Sequence, residues 1–180
     1  SAASDVYKRQ DQTPVAPGKV VSDRIEGDRR VVRFQSTNPI LGFFSIQSAD
    51  YSATKKRHDD IELEIYHHPT HAFNAERMLD AMAVSLDYFQ ENFGPYQFDY
   101  ARIIEFPGYA SFAQAFAGTV PYSERIGFIA NAADGNDIDY VTYVTAHEYG
   151  HQYWAHQLIS AYTQGGTMLV ETMAQYSALM

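Results

Sequence analysis

The sequence predicts an α+β fold, with strands concentrated in the first seventy residues and helices interleaved with short strands after them. Three observations carry this. Ile61-Glu62-Leu63-Glu64-Ile65-Tyr66 alternates apolar and polar side chains, the period of a half-buried strand. Beyond Pro69 the period changes, and Phe73, Met78, Leu79, Met82, Leu86, Phe89 and Phe93 fit one helical stripe that Gly94-Pro95 ends. Two further helices are expected, one beginning near Asp139 and one from about Thr167, after the break at Gln164-Gly165-Gly166.

Composition narrows the class. Hydrophobic residues make up 46% of the 180, with 14% aromatic, enough for a core. A net charge of −9 disfavours nucleic acid and anionic membrane surfaces as partners. No apolar run approaches the roughly 18 to 20 residues of a spanning helix, so the segment itself is expected to be soluble. With no cysteine, disulfides and thiolate metal ligands are excluded, and any zinc must be held by His and carboxylate.

Taken in order, residues 1–18 show no periodicity and are expected to be a disordered tail or artefact. Residues 19–70 read as a β-rich N-terminal domain. In it a hairpin turns at Glu26-Gly27-Asp28 between Val20-Val21 and Val31-Val32-Arg33-Phe34, and Gly42 to Ser48 is a further strand. His67, His68 and His71 lie close together, but Pro69 makes this an extended exit from a strand, so it is read as a boundary and not as a metal site. Residues 71–180 form the second domain, with strands at Tyr100–Phe106 and Ile126–Ala130 around its helices. Asp137 or Asp139 can cap the second helix. The chain stops at Met180 without a helix breaker, which is read as truncation within or just after a helix.

The chemistry lies in His147-Glu148-Tyr149-Gly150-His151. Histidines four apart on a helix project from one face and can reach one metal ion, while Glu148 faces the same ion. A hydrolytic zinc site needs three protein ligands and a carboxylate that takes a proton from water. His147 and His151 supply two ligands, and Glu148 the general base. Glu171 is the one acidic side chain between Gln152 and Met180, and a helix returning after the glycine turn can bring it over the histidines as third ligand. His156 falls off the ligand face and is read as supporting or structural. Gly150 costs the helix roughly 1 kcal/mol against alanine, which points to close approach of a neighbouring helix or of substrate. Glu124 reads on its own as a solvated charge at the start of a strand.

His147-Glu-Tyr-Gly-His-Gln-Tyr-Trp154, followed by Glu171, resembles the gluzincin aminopeptidases of the aminopeptidase N type, and the likeness spans most of residues 60–180. It implies a β-rich domain followed by a thermolysin-like catalytic domain, here truncated at its C-terminus. One Zn²⁺ would be bound by His147, His151 and Glu171, with Glu148 as general base. Ser123-Glu124-Arg125 stands where the family has Met-Glu-Asn, which implies that Glu124 holds the free amino group of a peptide substrate. Nineteen residues separate His151 from Glu171, one more than is usual there. The family's transition-state tyrosine would fall beyond Met180. The wording around Tyr122-Ser-Glu124 is most similar to a bacterial subgroup joined to a transporter-related membrane protein, which implies a membrane-embedded region outside this chain. The expected activity is a zinc aminopeptidase. The alternatives are a zinc endopeptidase, or a non-catalytic zinc-containing domain of a membrane protein that binds or senses peptides.

Overall fold

The computed structural model describes residues 3–9, 11–132 and 138–180. The fold is α+β. Among the described residues three small sheets are built from β1 (Ala3–Arg9), β2 (Thr13–Val15), β3 (Lys19–Glu26), β4 (Arg29–Gln35), β5 (Gln47–Ala49), β6 (Ser52–His58), β7 (Ile61–His67), β8 (Tyr100–Phe106) and β9 (Thr119–Ser123). The helices are α1 (Ala75–Phe93), α2 (Tyr140–Tyr153) and α3 (Gly166–Ala178). Among the described residues no helix is long and apolar enough to cross a membrane.

β3 and β4 form the expected hairpin, with Glu26 opposite Arg29, and β1 pairs antiparallel along the other edge of β4. β2 pairs with β5. The central sheet runs β6-β7-β8-β9, antiparallel at β6/β7 and parallel thereafter. Parallel β7 and β8 require a crossover, and α1 supplies it. Its stripe of Met78, Leu79, Met82, Leu86 and Phe89 is fully buried in one core with Leu63, Ile65, Ile103 and Val120 of the sheet. Phe73 is the exception, since it precedes the helix and is 77% exposed.

Four expectations are corrected. Residues 13–18 are not a tail: β2 pairs with β5, Val15 and Ala16 are buried, and β1 adds an edge strand before them. What holds this stretch is Arg102, whose guanidinium donates to the carbonyls of Ala16 (3.0 Å) and Gly18 (2.7 Å). The Gly18 amide in turn donates to the Tyr100 hydroxyl at 2.7 Å. Gly18 has φ +97°, and a Cβ there would meet the Gln35 backbone at 2.4 Å, so only glycine fits. None of these partners is near in sequence, which is why periodicity did not reveal them.

The expected boundary at residue 70 also moves, because β6 and β7 join β8 in one sheet instead of closing a separate strand domain. The strand expected over residues 42–48 is limited to Gln47–Ala49. Ile126–Ala130 forms no strand. Gly127 N donates back to Ser123 O and Ile129 N to Glu124 O, while the Asn74 amide ties down the carbonyls of Gly127 and Ala130. Chain that closes on itself in this way has no ladder bonds left for a neighbour, and the strand lies before Glu124 instead, at β9.

Candidate metal centre

Asp139 starts α2, its carboxylate accepting from the Thr142 amide at 3.1 Å and from the Thr142 hydroxyl at 2.7 Å. Asp137, the other candidate cap, lies outside the described residues. One turn of helical rise separates His147 from His151, and their rings stand nearly perpendicular with centroids 4.7 Å apart. The two Nε2 atoms are 3.2 Å from each other. Glu171 on α3 places Oε2 3.5 Å from the first and 3.3 Å from the second.

That triangle can be tested against a metal. Tetrahedral zinc with ligand bonds of about 2.0–2.1 Å has ligand-to-ligand edges of about 3.3–3.4 Å, and the three edges here bracket that value. The donor set is two imidazoles and a carboxylate, which suits zinc. His151 Nδ1 lies 3.1 Å from the Trp154 carbonyl, so Nδ1 carries the proton and Nε2 keeps its lone pair for a metal. Burial, and then the neighbouring His151, lower the His147 pKa against the pull of Glu171, which favours the neutral imidazole that a ligand must be. His147 Nδ1 is buried without a hydrogen-bond partner among the described residues. Glu171 is 56% exposed, so the centre is open on the α3 side. The residues fit a zinc ion.

Gly150 explains how α3 comes so close. A Cβ at that position would meet the Ala174 Cα and carbonyl oxygen at 3.2 Å, so the bare glycine lets the helices touch one turn beyond Glu171. Trp154 Nε1 donates to Ser177 Oγ at 2.9 Å, and the Tyr143 hydroxyl reaches Gln175, so the contact is held at both ends. Gly150→Ala is therefore expected to lower the melting temperature and weaken zinc binding, although alanine is the better helix former by about 1 kcal/mol. Overpacking that costs about 1–3 kcal/mol outweighs the propensity gain. A zinc titration alongside a thermal melt checks this.

Glu148 is buried beside the triangle and does not form part of it. Burial pushes its carboxyl up to about 7, with the Ala115 amide that bonds to it acting in the opposite sense and Glu171 adding to the rise. The Tyr122 hydroxyl is also buried and has no partner among the described residues, and its pKa is raised by burial and then by the nearby Glu148.

Sequence reading had no means of finding Ala115, because its part is played by the backbone. The segment 112–116 runs antiparallel to β9 and is pinned from the other side by α2 and the turn after it. Gln152 accepts from Gly118 N (2.8 Å) and donates to Phe116 O (2.9 Å), and His156 bonds to Ala115 O (3.1 Å). His156 thus holds the loop that holds Glu148. Glu148 and Gln152 lie one turn apart on α2, whereas His156 follows the end of that helix at Tyr153 and reaches Ala115 from the turn.

Glu124 belongs to a different group. Its Oε1 accepts from the Gly108 amide at 2.7 Å, and its Oε2 lies 3.9 Å from His71 Nδ1, which is 2.5 Å from the buried Glu105. Of the three neighbouring histidines, His67 closes β7 and meets Thr54, whereas the rings of His68 and His71 lie 4.8 Å apart and His71 turns to Glu105.

Fold and centre together define an α+β domain with a His-Glu-x-x-His helix and a carboxylate delivered by the following helix. Neither the models of known protein families nor the curated proteins contain a match to this chain.

Proposed function

We propose that this chain carries the metal centre of a zinc peptidase with a thermolysin-like catalytic arrangement, acting on the amino-terminal bond of peptides. The observation that carries the reading is the triangle of His147 Nε2, His151 Nε2 and Glu171 Oε2, with edges of 3.2 to 3.5 Å, beside a buried carboxylate that is not part of it. A bound zinc ion would supply Lewis acidity toward a water molecule and a peptide carbonyl. His147, His151 and Glu171 would hold it. Glu148 would orient the attacking water, take its proton on a carboxylate oxygen and pass that proton to the departing amine nitrogen. The Ala115 amide favours the charged form of Glu148, the form that accepts the proton. Glu124 would select the amino terminus by pairing with the substrate ammonium.

Amino-terminal selectivity is the finer part of the reading and has its own test. Cleavage of a free-amine peptide is expected to exceed that of its N-acetylated form by tenfold or more, the order of one charge-assisted hydrogen bond. Glu124→Gln should reduce that ratio by raising KM for the free amine. Equal cleavage of both peptides by the unsubstituted protein would leave an endopeptidase. If the chain binds zinc and peptide without any hydrolysis, the binding or sensing role stands in place of catalysis.

A further inference from the structure

A groove of about 630 Å³ lies on the opposite face of the 112–116 ribbon from the core, walled by the rings of Phe43, Tyr51, Phe106, Tyr109, Phe112 and Phe116. Its size is that of a ligand site. The rings are in mutual contact, Phe106 with Tyr109 and Phe112 at centroid distances of 5.4 and 4.9 Å, and Phe43 with Phe116 at 4.7 Å. They are also in contact with water: Phe43, Phe112 and Tyr109 are 52%, 47% and 81% exposed. Clustered aromatic exposure of this kind marks an interaction site.

Two features say what would lie there. Among the described residues no side chain lining the groove is charged, in a chain where 19% of residues are, so an ionic ligand would be desolvated without a counter-charge. Second, the three consecutive residues of β5, Gln47, Ser48 and Ala49, all line it. Successive side chains of a strand point to opposite faces, so what borders the groove is the strand's edge. Among the described residues β5 has one strand neighbour, β2, which leaves its other edge with ladder groups to offer. Ser45 Oγ, also in the lining, is buried with no partner among the described residues.

We propose that this groove binds an uncharged, extended peptide segment bearing aromatic side chains at alternate positions. The segment's backbone pairs with the free edge of β5, and its alternate side chains enter the ring-lined wall, the strand-addition mode of peptide recognition. The proposal does not depend on the metal centre.

The test is binding to Glu148→Gln protein, which removes hydrolysis as a complication, followed by calorimetry and by backbone amide shifts. The probes are acetyl-Ser-Phe-Thr-Phe-Ser-amide and the same peptide with Glu in place of each Phe. The aromatic probe is expected to bind at least about tenfold more tightly, the order of one aromatic anchor, with shifted amides in residues 43–51 and 106–116. A Phe43→Ser/Phe112→Ser protein should lose that preference. Both rings are half-exposed, so the fold should survive, and a thermal melt checks it. If it does not survive, the comparison of the two peptides on the unsubstituted groove decides by itself. Equal affinities for the two probes, shifts confined to other residues, or a preference that persists in a folded double variant would each overturn the proposal.

Discussion

Glu148→Gln is expected to lower peptide hydrolysis by about 10²–10⁴-fold, the usual contribution of a positioned general base, while zinc binding is unchanged. The change is isosteric, and the side chain sits beside the ligand triangle without contributing an atom to it. The Ala115 amide can donate to an amide oxygen as it does to a carboxylate, so the ribbon at 112–116 should stay in place. What is lost is the ability to accept and return a proton. Turnover at saturating peptide and zinc content, measured on the same sample, separate this from loss of the metal. Hydrolysis retained within tenfold would remove Glu148 from the reaction.

The second large effect is on stability, at Arg102. Its guanidinium meets Glu64 across β7 and β8, with side-chain exposures of 7% and 3%, and it stacks over Tyr100 at 4.3 Å while reaching the Ala16 and Gly18 carbonyls. Arg102→Met would leave Glu64 buried with only the half-exposed Lys55 as counter-charge, and would leave two carbonyls without their donor. Breaking one partner of such a buried pair costs about 3–5 kcal/mol. Denaturant unfolding should register that loss, and hydrogen exchange should quicken at residues 13–18, which the same side chain fastens.

The pair also makes a pH prediction. Burial alone would raise the Glu64 carboxyl, but Arg102 and Lys55 outweigh it and hold the pKa below the ordinary value. A folded-state pKa below the unfolded one stabilises the protein above about pH 4.3, and that stability is lost as pH falls through the folded-state value. The acid limb of the unfolding midpoint should therefore be shallower in Glu64→Gln than in the unsubstituted protein.

Local pattern was enough for much of this molecule. The β3–β4 hairpin, β7, the α1 stripe, the start of α2 at Asp139 and the turn into α3 all follow from period and punctuation. So does the meeting of His147, His151 and Glu171, because helical spacing and the lone downstream carboxylate leave few alternatives. The features that stayed hidden depend on partners far along the chain. Residues 13–18 look like a tail until Arg102 and Tyr100 are seen to hold them. Ile126–Ala130 has the composition of a strand, but its backbone groups are spent on a turn and on Asn74. Glu148's amide donor and the carbonyl that orients His151 are backbone groups, which no residue type announces. The cost at Gly150 did announce itself, and its cause proved to be Ala174 on the neighbouring helix.

The most direct test of the centre is the zinc affinity and stoichiometry of the purified protein, measured together with Glu171→Ala. The expected result is one tightly held zinc per chain, with affinity reduced by more than about 100-fold in the variant, since even the groups that merely support a ligand are worth about 10–100-fold. Zinc bound in equal amount and with unchanged affinity after Glu171→Ala would contradict the three-ligand centre.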